Sequence, residues 1–194
     1  NQILSGLVGS EMCIRDSIYE DKKKSKIRLL KKDKILCAKF RKGHFEGVLD
    51  VMNKLTKIIN PQKIFMGEKD FQQLFLVKKQ LERIYKTKVI PCKTIRDRNN
   101  IALSSRNFLL NKSNLIIAAK IYDKLVSIKK NIKNKKNIRS FLNLQKKELK
   151  NNYKIKIDYL ELRNIKNLKI SSTNKNSRLF IAYYLNNIRL IDNL

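Results

Sequence analysis

The chain has 194 residues, 42% of them hydrophobic, with 45 Lys+Arg against 16 Asp+Glu and a formal net charge of +29. That apolar share can build a packed core and excludes wholesale disorder, while the length holds one ordinary domain or two small ones. No apolar run is long enough for a bilayer-crossing helix. Cys13, Cys37 and Cys92 share no CxxC spacing, so cytosolic, reduced thiols are expected rather than a disulfide framework or zinc site.

In chain order, the opening NQILSGLVGSEMCIRDS (residues 1–17) holds two of the five glycines and one basic residue, Arg15, before the texture shifts to EDKKKSKIRLLKKDK. It resembles translated adaptor or vector sequence and lacks the basic start and continuous apolar core of a signal peptide. It is set apart from fold reasoning, with the natural chain expected to begin well upstream. Residues 25–40 mix basic and apolar positions and end in ILCAKF, which reads as a strand-like approach segment. Phe45, Val48, Leu49, Met52, Leu55 and Ile59 recur mostly at steps of three and four, the stripe of an amphipathic helix that Asn60-Pro61 stops. KIFM (63–66) suits a buried parallel strand, a second helical stripe runs through Leu74, Val77, Leu81 and Ile84, and KVIP (88–91) reads as the next strand. This alternation predicts a right-handed crossover onto a parallel sheet. Without neighbouring strands, KIFM and KVIP would expose edges and apolar faces, and poor solubility or molten behaviour is expected.

Past Arg96 the texture changes. Residues 115–130 and 138–151 read as helices separated by NIKNKKN, and residues 155–162, 178–184 and 188–191 as strands. The expected organisation is therefore α/β over residues 18–96, then a small α+β module over 97–194.

The lysine excess invites a nucleic-acid reading. Lysine greatly outnumbers arginine, travels with Asn and Ile (residues that share A/T-rich codons) and is spread along every segment rather than gathered on one face. The charge then predicts salt sensitivity and affinity for polyanions in general, not a specific nucleic-acid site.

Three segments carry candidate chemistry. Gly67-Glu68-Lys69-Asp70 lies between a strand and the following helix, where open parallel sheets bind ligands. There Gly67 allows close backbone approach, Lys69 offers a cation for phosphate, and Asp70 can accept from ribose hydroxyls; a plain glycine turn with a charged helix cap is the alternative. In Leu103-Ser104-Ser105-Arg106-Asn107, two hydroxyls, backbone N–H groups and a guanidinium make a compact anion site, or else a serine-capped short helix. Arg41-Lys42-Gly43-His44 carries the only histidine, and without a second His or a Ser/Cys partner motif nothing points to nucleophilic catalysis.

Taken in order, RKGHFEGVLDVMNKL, PQKIFMGEKDFQQLFLVKKQL, KTIRDRNNIALSSRNFLL, IDYLELR and RLFIAYYLNNIRLIDN resemble the matching stretches of pantothenate synthetases. The resemblance implies a Rossmann-like nucleotidylyltransferase domain whose N-terminal part is missing, followed by a small C-terminal domain that closes over the site, in a cytoplasmic homodimer. It implies ATP-dependent joining of pantoate to β-alanine through a pantoyl adenylate, with Mg²⁺ assisting pyrophosphate departure. By the same resemblance Gly67, Glu68, Lys69 and Asp70 line ATP, Ile95 meets adenine through its backbone, and Leu103, Ser104, Ser105 and Arg106 clasp the nucleotide. Gln73 hydrogen-bonds pantoate, and Val48, Val51 and Met52 wall its gem-dimethyl group. Lys42 replaces the family's usual Pro, and Asn99-Asn100 its usual Asp-Gly. No HxGH-type nucleotide motif, first pantoate glutamine or metal-binding acid is found, so the chain by itself is not expected to complete the reaction. The competing expectations are another nucleotidylyltransferase-fold enzyme with a different acceptor, or a basic nucleic-acid-binding module.

Overall fold

A computed structural model describes residues 27–194, so the segment 1–17 lies outside the described residues. The strand-like reading of residues 25–40 falls partly outside the described residues, and over residues 27–40 the structure corrects it. From residue 27 the chain runs without regular structure into a tight turn, Lys31–Asp33, and a one-turn helix, α1 (Cys37–Phe40). A strand needs a neighbour for its backbone, and this segment uses a side chain instead. Gln72 donates to the carbonyls of Asp33 (3.1 Å) and Ile35 (2.8 Å) and accepts from the Ala38 amide (3.3 Å). Leu36, at φ 46, turns the chain between these contacts.

The rest of the first unit follows the apolar periodicity. Helix α2 spans His44–Ile59, preceded by Gly43 at φ 77, a left-handed value that suits glycine. Asn60, at φ 48, ends it, and strand β1 (Lys63–Gly67), helix α3 (Phe71–Ile84) and strand β2 (Lys88–Cys92) follow. β1 and β2 pair in parallel from Lys63↔Lys88 to Gly67↔Cys92. The expectation of a buried β1 is not met. Its residues alternate between exposed and half-buried, and Phe65 is 67% exposed, because the sheet has only these two strands among the described residues.

A hairpin-like loop leads to the second unit: Arg96 bridges Ala102, and Asp97 Oδ1 accepts from the amides of Asn99 and Ile101 (both 2.9 Å). Asn100 sits at φ 63, so it takes the left-handed conformation that a glycine would otherwise supply. Helices α4 (Lys112–Asn131) and α5 (Ile138–Tyr153) are each capped by an Asn side chain, Asn111 and Asn137. Strands β3 (Lys156–Asn164), β4 (Ser177–Leu185) and β5 (Ile188–Asn193) form an antiparallel sheet in that order. No described helix is long and apolar enough to cross a membrane.

This second sheet is shared by two cores. Leu162, Leu179, Ile181, Tyr183 and Leu185 face α4 and α5, whereas Tyr159, Phe180 and Ala182 pack with Phe45, Leu74, Val77 and Leu81 of the first unit. The parity switch in β3 has a visible cause. Ile157 opposes Tyr183 and Tyr159 opposes Ala182, which leaves Asp158 as the extra residue of a bulge.

Candidate functional site

A cavity of about 240 Å³ opens where the first unit meets the edge strand β5. Three short segments reach it, and each is fastened to β5 by a neighbouring residue. Asn193 Nδ2 donates to the backbone carbonyls of Glu68 (3.0 Å) and Lys69 (2.8 Å), holding the turn Glu68–Asp70 that follows β1. Asp192 takes a bidentate pair from Arg96 (2.7 and 2.8 Å), whose guanidinium also lies 4.3 Å from the Tyr122 ring centre. The Arg189 carbonyl accepts from Arg106 Nη1 at 2.9 Å. One strand thus sets the spacing between the Lys69 turn and the Ser104–Arg106 loop.

Of the residues singled out in the sequence, Lys69, Asp70, Gln73, Ser104 and Arg106 line this single cavity. Gln72 and Gln73, adjacent on α3, both line the cavity, but Gln72 is buried and ties down residues 33–38, while Gln73 is half-buried. Ser104 has extended backbone and caps the tight turn Ser105–Leu109, its Oγ accepting from the Arg106 amide at 3.3 Å. The serine-capped turn and the cavity wall are therefore one arrangement, with the hydroxyl proton still available to an acceptor.

The other candidates sit outside the lining. Glu68 directs its carboxylate at Arg178 (3.2 Å), which also hydrogen-bonds Asn193 Oδ1 (2.9 Å) and stacks 4.6 Å from the Phe71 ring centre. Gly67, Leu103 and Ser105 are exposed. The Ile95 carbonyl accepts from the Leu103 amide at 3.0 Å, and the Ile95 side chain points to solvent. Val48, Val51 and Met52 are half-buried on α2, Val48 and Met52 packing against the first core.

The cavity also gathers residues to which no sequence motif assigned a role. Arg41 and His44 line it from either side of Gly43, and Arg189 from β5. Burial and then the nearby Arg106 and Arg189 lower the pKa of Arg41, with Cys37 and Asp70 opposing. Burial and then Arg41 push His44 below its ordinary value, favouring the neutral imidazole. Burial works against the Arg189 charge, but its hydrogen bond to Asp158 (2.8 Å) outweighs that and raises its pKa. Arg189 Nη1 also lies 3.5 Å from Cys37 Sγ, which is 3.1 Å from the Tyr159 hydroxyl. Asp158 and Arg189 are distant in sequence and belong to no local pattern; only the β3 bulge and sheet pairing unite them.

Four cations (Lys69, Arg41, Arg106 and Arg189) thus face a space whose acids are mostly committed. Of the two acids in its lining, Asp192 is tied to Arg96 and Asp70 stands 4.0 Å from Lys69, while Asp158, outside the lining, holds Arg189. Such a surplus in a part-enclosed site favours a multiply charged anion. No group of three His, Cys, Asp or Glu among the described residues could hold a metal ion.

The model of the Pantoate-beta-alanine ligase family matches residues 13–194, beginning inside the segment 1–17. A pantothenate synthetase of Flavobacterium psychrophilum is 38% identical over 160 residues, covering 80% of this chain and 56% of that protein. One from Caldicellulosiruptor bescii is 31% identical over 182 residues, covering 92% of this chain and 64% of that protein. The chain therefore spans between 56% and 64% of the length of these two relatives. Among solved structures, a pantothenate synthetase of Thermus thermophilus superposes with a TM-score of 0.83 at 26% identity, over 92% of this chain and 66% of that one. A pantoate-beta-alanine ligase from Francisella tularensis, complexed with beta-gamma ATP and beta-alanine, superposes with a TM-score of 0.72 at 31% identity, over 92% and 61%.

Proposed function

Because the chain belongs to the pantoate-beta-alanine ligase family, we propose that its cavity is part of a site where ATP activates pantoate for condensation with β-alanine. The observation that carries this is the convergence of Lys69, Asp70, Gln73, Ser104 and Arg106, drawn from two separate segments, on one cavity.

In this reading a pantoate carboxylate oxygen bonds to the α-phosphorus of ATP as the bond to the bridging oxygen breaks, and diphosphate leaves with the electron pair. The β-alanine amine then attacks the adenylate's carbonyl carbon, forming the C–N bond while AMP departs and the amine gives up a proton. The described residues contribute position and charge. Lys69 and Arg106 neutralise phosphate oxygens, Ser104 donates to one of them, and Gln73 orients pantoate. Gly67, Glu68, Ile95, Leu103 and Ser105 complete the nucleotide surroundings, and Val48, Val51 and Met52 the wall beside the gem-dimethyl group. Mg²⁺ would accompany the nucleotide, but the described residues do not form a site for it: of the two acids lining the cavity, Asp192 is held by Arg96 and Asp70 stands beside Lys69. The same reading expects the full-length protein to be a cytoplasmic homodimer, and light scattering on the chain joined to a family N-terminal half would test the dimer.

The direct test is calorimetric titration of the chain with ATP, followed, once a family N-terminal half is restored, by a search for AMP release that depends on both pantoate and β-alanine. Lys69→Ala should weaken ATP binding about tenfold or more, as loss of a charge-assisted contact implies. Unchanged binding in that variant would remove the assignment.

A further inference from the structure

We propose that Arg41, Arg106 and Arg189, which all line the cavity, form a diphosphate subsite at its β5 side, distinct from the Lys69 turn. This rests on the nucleotide reading above and deepens it, by assigning a place to the terminal phosphates of ATP and to the diphosphate that leaves.

Arg189 is prepared for such a contact. It faces the same side of the β3–β5 sheet as Ile191, and the bulge residue Asp158 holds its Nε at 2.8 Å. With Nη1 near Cys37 Sγ, the guanidinium plane is oriented by two fixed neighbours, but Nη2 is buried and has no hydrogen-bond partner among the described residues. A buried, unpartnered donor on a charged group costs free energy unless something fills its place, and this one belongs to a residue that lines the cavity. Arg41 provides the second donor set. Its guanidinium lines the same cavity, and Arg106 and Arg189 are close enough to repel it.

The ligand class follows from charge and shape. Three guanidiniums lining one cavity, two of them acting against the charge of Arg41 and one already holding Asp158, call for more than the single charge of a carboxylate. A diphosphate carries several, on oxygens that match the forked geometry of arginine. Arg41 is only partly buried, which leaves a route for the anion to enter and leave.

The test is calorimetry of the whole chain with inorganic pyrophosphate, AMP and ATP in turn, near physiological salt so that the general basic surface is screened. Wild type should bind pyrophosphate at a single site and more tightly than inorganic phosphate. Arg189→Gln and Arg41→Gln should each weaken pyrophosphate at least about tenfold while leaving AMP unchanged. Arg83→Gln, on an exposed face of α3, should change neither. Should Arg189→Gln fail to fold, Arg41→Gln still decides, because the Arg41 side chain is only partly buried and is not locked into an acid as Arg189 is. Failure of wild type to bind pyrophosphate would overturn the subsite, as would equal affinity for phosphate or binding indifferent to both arginines. Pyrophosphate binding that depends on the arginines, with no ATP binding, would sink the nucleotide reading and leave the subsite standing.

Discussion

The two sheets of this molecule are built to different standards. In β4 the residues Leu179, Phe180, Ile181, Ala182 and Tyr183 are all buried, alternately against the helices α4 and α5 and against the first unit. In β1 no residue is fully buried, and in β2 only Val89 is. Yet the lysine turn that reaches the cavity hangs from the weaker sheet. The position of that turn is set from the stronger one, through Asn193, Arg178 and the edge strand β5. A site on a lightly buried pair of strands can still be well placed when a well-packed neighbour supplies the polar ties, because each tied carbonyl fixes local backbone without needing a core beneath it.

This contrast can be broken in order of expected effect. Ile181→Ala removes a side chain 1% exposed at the centre of the second sheet. It should cost about 2–5 kcal/mol in denaturant unfolding, as buried Ile→Ala changes do. A loss as small as that of a surface change would refute the claim that β4 is the structural centre. Gln72→Leu removes three hydrogen bonds to residues 33–38 and leaves the Asp33 carbonyl without its partner, while the Ala38 amide and Ile35 carbonyl keep each other. The expected cost is about 1–3 kcal/mol, with faster amide exchange confined to that segment; uniform exchange across α3 would show that Gln72 acts through packing alone.

Asn193→Leu tests the tie itself. It should free the carbonyls of Glu68 and Lys69 and weaken ATP binding several-fold while the melting temperature falls only modestly. A large drop in melting temperature with intact binding would invert that assignment. Phe65→Thr, at a position 67% exposed, should leave unfolding within about 0.5 kcal/mol and reduce binding of hydrophobic dyes.

The smallest effect concerns pH. Burial and Arg41 hold the folded-state pKa of His44 below the ordinary 6.5. The unfolded chain therefore binds the proton first as pH falls, so the stability contributed by neutral His44 is present above about 6.5 and declines through that value. His44→Gln should flatten this part of the pH–stability curve. Half-exposure keeps the effect modest, and an unchanged slope would mean that the imidazole titrates freely.

Much of this architecture is legible in the residues. The apolar stripes of α2 and α3, the runs KIFM and KVIP, and the late helix–helix–strand succession follow from side-chain period alone, because a periodic apolar pattern must bury one face. Asn100 in the left-handed turn is also readable, since few residues other than glycine tolerate that conformation. Residues 27–40 are not, because their backbone is satisfied by Gln72, a partner dozens of positions away that no local pattern announces. Within the candidate site, Lys69, Gln73, Ser104 and Arg106 stand in motifs that single them out. Arg41 stands in a segment singled out for its histidine, without a role of its own, and Arg189, Asp158 and Asn193 acquire their places only when a bulge in β3 and the edge strand β5 bring distant segments together. Periodicity is thus enough to say which stretches become helices and strands, and motif enough to say which segments carry chemistry. Which charges face one another, and which are already paired, is settled by folding, because distance, desolvation and competition among partners do not exist in the extended chain.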